Sequence, residues 1–165
     1  MKVLGITGGV GAGKSTILEY LTRAYGARVI QADQVGHHLM EPGQRCYYQI
    51  VETFGSGMLK GDQTIDREKL GKLVFTDKEK LEKLNGIIHP AVKAYIAEEI
   101  EKERNAGKVP FVAVEAALLI EDHYDVICDE IWYIYVDEKT REKRLASSRG
   151  YSEEKTKSIL RSQLS

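Results

Sequence analysis

The feature that most constrains this chain is a glycine-rich segment close to its amino terminus. Residues 8–15 match the pattern G-x-x-x-x-G-K-[ST] at every position. A short apolar run precedes the segment, and apolar residues at helical spacing follow it. In this context the pattern predicts a phosphate-binding loop (P-loop) between a buried strand and a helix. The segment reads Gly8-Gly9-Val10-Gly11-Ala12-Gly13-Lys14-Ser15.

The residue types of this loop suit a triphosphate. Glycines permit backbone angles that turn successive N–H groups toward phosphate oxygens, and the helix that begins near Lys14 adds its positive dipole end. Lys14 would reach the β- and γ-phosphates, and the Ser15 hydroxyl would hold Mg²⁺. We therefore predict that ATP and Mg²⁺ bind at this loop. The predicted nucleotide-binding residues are Gly8, Gly9, Gly11, Ala12, Gly13, Lys14, Ser15 and Thr16.

Two other nucleotide-binding patterns do not fit. A dinucleotide fingerprint needs G-x-G-x-x-G, and counting from Gly9 the sixth position is Lys14. A GTPase could use the D-x-x-G sequence that begins at Asp33, but the chain has no N-K-x-D guanine motif. The pattern therefore favours an ATP-binding protein.

The order of predicted elements indicates an α/β fold with a parallel sheet. Buried strands are predicted at 3–6, 27–30, 109–115 and 131–136, and the first helix should end near Gly26. The region 35–106 is mostly helical in pattern, with a glycine-rich connection at 55–66. Within it we predict a capping box at Thr76 and Glu79, and a helix start at Pro90. Further helices are predicted from about 138 and after Ser152.

Asp33 follows the second predicted strand. Ligands of parallel α/β sheets bind outside the carboxyl ends of the strands, so we expect Asp33 near the mouth of the P-loop. A carboxylate there could accept the proton of an attacking hydroxyl or hold the metal through water. A helix N-cap is an equally good explanation from the local sequence.

The chain resembles the dephospho-CoA kinase family from residue 3 to about residue 163. The matching segments occur in the family's order and at similar spacing. They are Thr7-Gly8-Gly9 with the P-loop, residues 29–33, Glu41-Pro42-Gly43, Ile65-Asp66-Arg67 with Leu70, Val74-Phe75, His89-Pro90, residues 118–121, Arg144-Leu145 and residues 149–152.

The resemblance implies a P-loop kinase that transfers the γ-phosphoryl group of ATP to the 3′-hydroxyl of dephospho-CoA. It implies a nucleotide-binding core (1–58 and 107–137), a helical CoA-binding part (about 59–106) and a lid (about 138–155). Asp33 would be the catalytic base, beside Lys14 and the lid arginines Arg144 and Arg149. The acceptor-binding residues would be Arg67, His89, Leu118 and Glu121.

Some of these residues have plain structural alternatives. Arg67 could be a surface charge at a helix entry, and His89 could cap a helix that begins at Pro90. Glu115, which ends a predicted strand, could assist Mg²⁺ through water or simply lie at the edge of the core. His37 is interpreted as an ordinary helix residue.

The chain departs from the family pattern in three places. Gln31 stands where the family has Asp, so Asp33 should be the essential carboxylate. Ala117 replaces a proline, which predicts a less rigid loop. The family also continues past Gln163 with a further strand, whereas this sequence stops at Ser165, so we expect a truncated carboxyl end.

Composition limits the remaining classes of function. The net charge of −1 over 165 residues gives no general attraction to nucleic acid. Cys46 and Cys128 lack ligand-like spacing, and no apolar run approaches membrane-spanning length. We expect a cytoplasmic enzyme with a small-molecule partner. The alternatives are another small-molecule kinase of this fold and a nucleotide-binding module without transfer activity.

Overall fold

The computed structural model describes residues 1–9 and 13–135. In this part of the chain four strands form one sheet in the spatial order β2-β3-β1-β4, and every pairing is parallel. The predicted parallel α/β fold is therefore confirmed, with β1 and β3 as the inner strands. The strands are β1 (Lys2–Gly8), β2 (Arg28–Gln31), β3 (Phe111–Glu115) and β4 (Glu130–Ile134).

Helices lie between β1 and β2 and between β2 and β3, whereas β3 and β4 are joined by a segment with one short 3₁₀ turn. The first helix ends where predicted, because Gly26 adopts a left-handed φ of 66° and its amide bonds back to carbonyls of the last turn. The α-helices are α1 (Lys14–Tyr25), α2 (Ala32–Leu39), α3 (Arg45–Phe54), α4 (Arg67–Phe75) and α5 (Lys78–Ala106), and short 3₁₀ turns cover Ser56–Met58 and Tyr124–Ile127.

The chain divides into two compact units. The first contains Met1–Gln31 and the chain from Ile100 onward, and the second is Ala32–Glu99. In the first unit α1 packs its apolar face on the sheet. The core residues there are Leu4, Ile6, Leu18, Leu21, Ala27 and Ala113.

The second unit has its own apolar interior on α2 to α5. Its most deeply buried large side chains are Leu39, Ile50, Leu70 and Ile96. This unit begins at Ala32, earlier than the helical part expected at about 59–106, and the assignment of that part to CoA stays a prediction. Within residues 1–9 and 13–135, no helix is both long and apolar enough to cross a bilayer.

Two predicted helix starts in this region are wrong. The helix does not begin at Pro90, because α5 runs through that residue without interruption. Nor is Thr76 the cap: Asp77 precedes α5 and accepts a hydrogen bond from the Lys80 amide at 3.2 Å, whereas the Thr76 hydroxyl bonds back to carbonyls of α4. The aspartate wins because it stands one residue closer to the helix.

Other predictions lie outside the described residues. These are the helices from 138 and after Ser152, the lid at 138–155 and the final residue of the fourth strand.

Candidate active site

The P-loop begins directly at the end of β1. Gly8 has a φ of 150°, and a Cβ on this residue would lie 2.3 Å from the backbone oxygen of Ile134 in β4. Only glycine can therefore occupy this position without displacing a strand. Gly9 follows, and Val10, Gly11 and Ala12 lie outside the described residues.

The loop re-enters the described chain at the start of α1. Gly13 takes a left-handed φ of 88° and precedes the helix, and as a glycine it offers no capping side chain. The first amides of α1 therefore keep their hydrogen-bonding capacity for an anion. Ser15 and Thr16 lie exposed in this first turn, where their hydroxyls are accessible.

Lys14 folds back onto the loop. Its ammonium nitrogen donates to the Gly8 carbonyl oxygen at 2.8 Å and lies 3.1 Å from a carboxylate oxygen of Glu115. Both charged side chains are mostly covered, with 13% of Lys14 and 12% of Glu115 exposed. The ammonium thus makes a hydrogen bond to the Gly8 carbonyl and an ion pair with the Glu115 carboxylate.

Glu115 is the last residue of β3, and neighbouring strands hold it on both sides. It is in register with Ile6 of β1 and with Gln31 of β2. The next amide, that of Ala116, donates to the Ile6 carbonyl at 3.2 Å. The carboxylate therefore stands at the carboxyl ends of the two inner strands, which is where this class of sheet binds ligands.

The loop after β3 is also fixed. The buried hydroxyl of Thr7 donates to the Ala117 carbonyl at 3.2 Å. This bond joins the residue before the P-loop to Ala117, so a side-chain contact restrains the loop for which the sequence predicted less rigidity. Leu118 is exposed, Leu119 is fully buried and Glu121 is exposed.

Asp33 lies in the second unit, inside the first turn of α2. It follows β2 directly, as predicted, but it is a helical residue rather than the residue before the helix. His37, one turn further on, interacts electrostatically both with Asp33 and with Arg67 at the start of α4. Burial lowers the pKa of His37, and the positive charge of Arg67 lowers it further, while Asp33 acts in the opposite direction.

The remaining predicted residues are placed as follows. Arg67 is exposed as the first residue of α4, behind the N-cap Asp66. His89 is half-buried within α5, so the alternative that it caps a helix at Pro90 is wrong. Arg144 and Arg149 lie outside the described residues.

Sequence reasoning gave two residues too little weight. The contact of Glu115 with Lys14 was not expected, although an acidic residue that ends a buried strand is the available signal. The electrostatic coupling of His37 to Asp33 was also missed, and the four-residue spacing of the two on one helix is the signal that could have found it.

These features define a P-loop nucleotide-binding protein: a parallel sheet, a glycine loop after an inner strand, and a loop lysine at the head of the next helix. The sequence model that describes dephospho-CoA kinases (CoaE) matches residues 2–165. The chain belongs to the dephospho-CoA kinase family. It is therefore a kinase, an ATP-dependent phosphotransferase of coenzyme A synthesis.

Individual members of this family are similar to the chain over nearly its whole length. The dephospho-CoA kinase of Symbiobacterium thermophilum is 39% identical over 165 residues, which are 100% of this chain and 68% of the relative. That of Carboxydothermus hydrogenoformans is 37% identical over 99% of this chain and 79% of the relative.

Solved structures agree on the fold. A Thermus thermophilus protein, TT1252, superposes with a TM-score of 0.82 at 28% identity, over 98% of this chain and 80% of its own. The dephospho-CoA kinase from Campylobacter jejuni gives 0.68, also at 28% identity and with the same coverage.

Proposed function

We propose that this chain transfers the γ-phosphoryl group of ATP to the ribose 3′-hydroxyl of dephospho-CoA, giving coenzyme A and ADP. The observation that supports this best is the placement of the Lys14 ammonium. It lies 2.8 Å from the Gly8 carbonyl at the carboxyl end of an inner strand, within a loop whose pattern suits phosphates. Family membership supplies the acceptor.

The nucleotide would be held by this chain's own loop. The amides at the start of α1 and the Lys14 ammonium would bind the phosphates, and the lysine would follow the charge that develops on the γ-phosphoryl oxygens. Positioning and charge stabilisation supply most of the catalysis in phosphoryl transfer.

The residues present fit Mg²⁺. The described part of the chain has no cluster of three or more His, Cys, Asp or Glu residues placed to hold a metal. Mg²⁺ does not need one, because it keeps several waters and uses one or two protein oxygens together with phosphate oxygens. The accessible Ser15 hydroxyl in the first turn of α1 is such an oxygen. When bound, the ion would neutralise phosphate charge.

Asp33 is proposed as the base that orients the acceptor hydroxyl and takes its proton. Arg67 and His89 would bind the acceptor, together with Leu118 and Glu121. Arg144 and Arg149 of the lid would neutralise the transferred group and exclude water. The reducing cytoplasm is the proposed location, and the free thiols of Cys46 and Cys128 suit it.

The test is to incubate the full-length protein with ATP, Mg²⁺ and dephospho-CoA and to follow coenzyme A by mass spectrometry. We expect product from the unchanged chain, and a loss of about 10²-fold or more in Asp33→Asn with ATP binding retained. Asp62→Asn makes the same change in a turn of the same unit and should stay active.

Each other outcome has a distinct meaning. ATP binding without coenzyme A would refute the acceptor assignment, and a screen of other hydroxyl acceptors would follow. Slow hydrolysis that no acceptor stimulates would favour a binding module. If Asp33→Asn loses ATP affinity instead, the residue holds the metal and is not the base.

A further inference from the structure

We propose that Glu115 is a positioning residue for the P-loop lysine: its carboxylate holds the Lys14 ammonium against the loop before nucleotide binds, and phosphates must displace it. The inference rests on the proposed function, because it requires that phosphates bind at this loop. It deepens that function by naming what the nucleotide competes with.

The geometry of the contact fixes the lysine. The Lys14 nitrogen lies 3.1 Å from the Glu115 carboxylate and 2.8 Å from the Gly8 carbonyl, so two acceptors from two neighbouring strands fix its position. A lysine side chain has four rotatable bonds and would otherwise sample many positions. The two contacts therefore favour one lysine conformation, with the ammonium between the Gly8 carbonyl and the Glu115 carboxylate.

The backbone that carries the Glu115 carboxylate is rigidly held. Glu115 is paired with strands on both sides, and hydrogen bonds from the Ala116 amide to Ile6 and from the Thr7 hydroxyl to Ala117 hold the next two residues. A charge carried on so fixed a backbone is an effective positioning device.

Burial of the two charges makes each dependent on the other. Both side chains are almost nine-tenths covered, and a charge in such surroundings needs a partner. When phosphate takes the lysine, the carboxylate loses this partner and faces a like-charged ligand. The loop therefore binds nucleotide more weakly than it would without the Glu115 carboxylate, and the strength of the ion pair determines the difference in affinity.

The decisive experiment measures the affinity of magnesium-free ADP by calorimetry in a double-mutant cycle. Glu115→Gln keeps the size and removes the charge, and we expect it to tighten ADP binding by about tenfold. In the Lys14→Met background the same substitution should change ADP affinity by less than about twofold, because there is no lysine to release. Glu130→Gln, at the exposed partner of Lys2, controls for the change in net charge.

The outcomes separate the explanations. Equal tightening with and without Lys14 would mean simple repulsion between carboxylate and phosphate, and would overturn the proposal. Unchanged or weaker binding in Glu115→Gln would mean a purely structural role and would also overturn it. If the unchanged protein binds no ADP, the proposed function fails as well, whereas binding that ignores Glu115→Gln refutes this inference alone.

A second measurement does not depend on the folding of any variant. In ¹⁵N-lysine-labelled unchanged protein, the Lys14 ammonium should give a protected side-chain NMR signal that moves when ADP is added. Absence of a protected lysine signal in the free protein would contradict the pairing.

Discussion

Gly8→Ala tests the most demanding contact of the loop. The new Cβ would lie 2.3 Å from the Ile134 backbone oxygen, about 1 Å inside a normal contact. The Ile134 oxygen belongs to the backbone of β4, with which Gly8 is in register, so the strand itself must move. The φ of 150° is an additional cost for a residue with a side chain.

The size of the effect follows from these two costs. The backbone conformation contributes about 1–3 kcal/mol and the overlap about 1–3 kcal/mol. A total near 4 kcal/mol would lower Tm by about 10 °C in a chain of this size. We expect ATP binding to weaken too, because the Gly8 carbonyl accepts the Lys14 hydrogen bond at 2.8 Å.

The assay is thermal and urea unfolding, followed by circular dichroism and by fluorescence of the single tryptophan. Trp132 suits this purpose because it lies in β4, in register with Ile6 of β1. Gly26→Ala is the matched control: its φ is also positive, but its Cβ would meet nothing within 4 Å. It should cost about 1 kcal/mol. If Gly8→Ala is no less stable than Gly26→Ala, the reasoning from the close contact is refuted.

Three further predictions concern single side chains. Asp66→Ala should lower the free energy of unfolding by about 1 kcal/mol, since its carboxylate caps α4, whereas Asp66→Asn should retain most of the stability in urea titrations. The pKa of His37 lies below its ordinary value of 6.5, so the neutral imidazole stabilises the fold above that pH and this contribution is lost as the pH falls. The Tm of the unchanged chain relative to that of His37→Gln should therefore drop between about pH 7 and 5. A Tm difference that stays constant over this range would contradict the prediction. Burial, with smaller contributions from Asp125 and Asp129, raises the pKa of the Cys128 thiol to about 11. In a Cys46→Ala background, iodoacetamide should therefore alkylate Cys128 at pH 8 about 100-fold more slowly than an ordinary thiol. Alkylation at the ordinary rate would refute the raised pKa.

The loop, the parallel sheet and the end of α1 could be predicted because each depends on short-range rules. The P-loop glycines and Gly26 carry their own backbone requirements. Pro90 shows the limit of such rules. A proline within a helix costs about 3 kcal/mol, yet α5 continues because Leu84 on one side and Val92 and Ile96 on the other bury one apolar face. The stabilisation that comes from burying this face depends on tertiary packing and cannot be read from the local sequence.

For the candidate site, the positions of single residues could be predicted, but a contact between distant residues could not. The position of Lys14 follows from its motif, and that of Asp33 directly after a strand was also predicted, whereas the role of Asp33 as a base stays a prediction. The partner of Lys14 could not be predicted, because Glu115 is 101 residues away in sequence (115 − 14) and meets it only through the pairing of β1 with β3. Contacts of this kind depend on strand order and register, which periodicity does not specify.

The same pairing makes the lysine contact a check on assembly of the sheet. Ile6 faces Glu115 in the native alignment. A slip of one residue would move the carboxylate about 3.3 Å along the strand and turn it to the opposite face, out of reach of the ammonium. A chain misassembled in this way would keep much of its apolar pairing but would leave a lysine charge uncompensated in the interior. We therefore expect the ion pair to favour the correct alignment during folding, before any nucleotide is present.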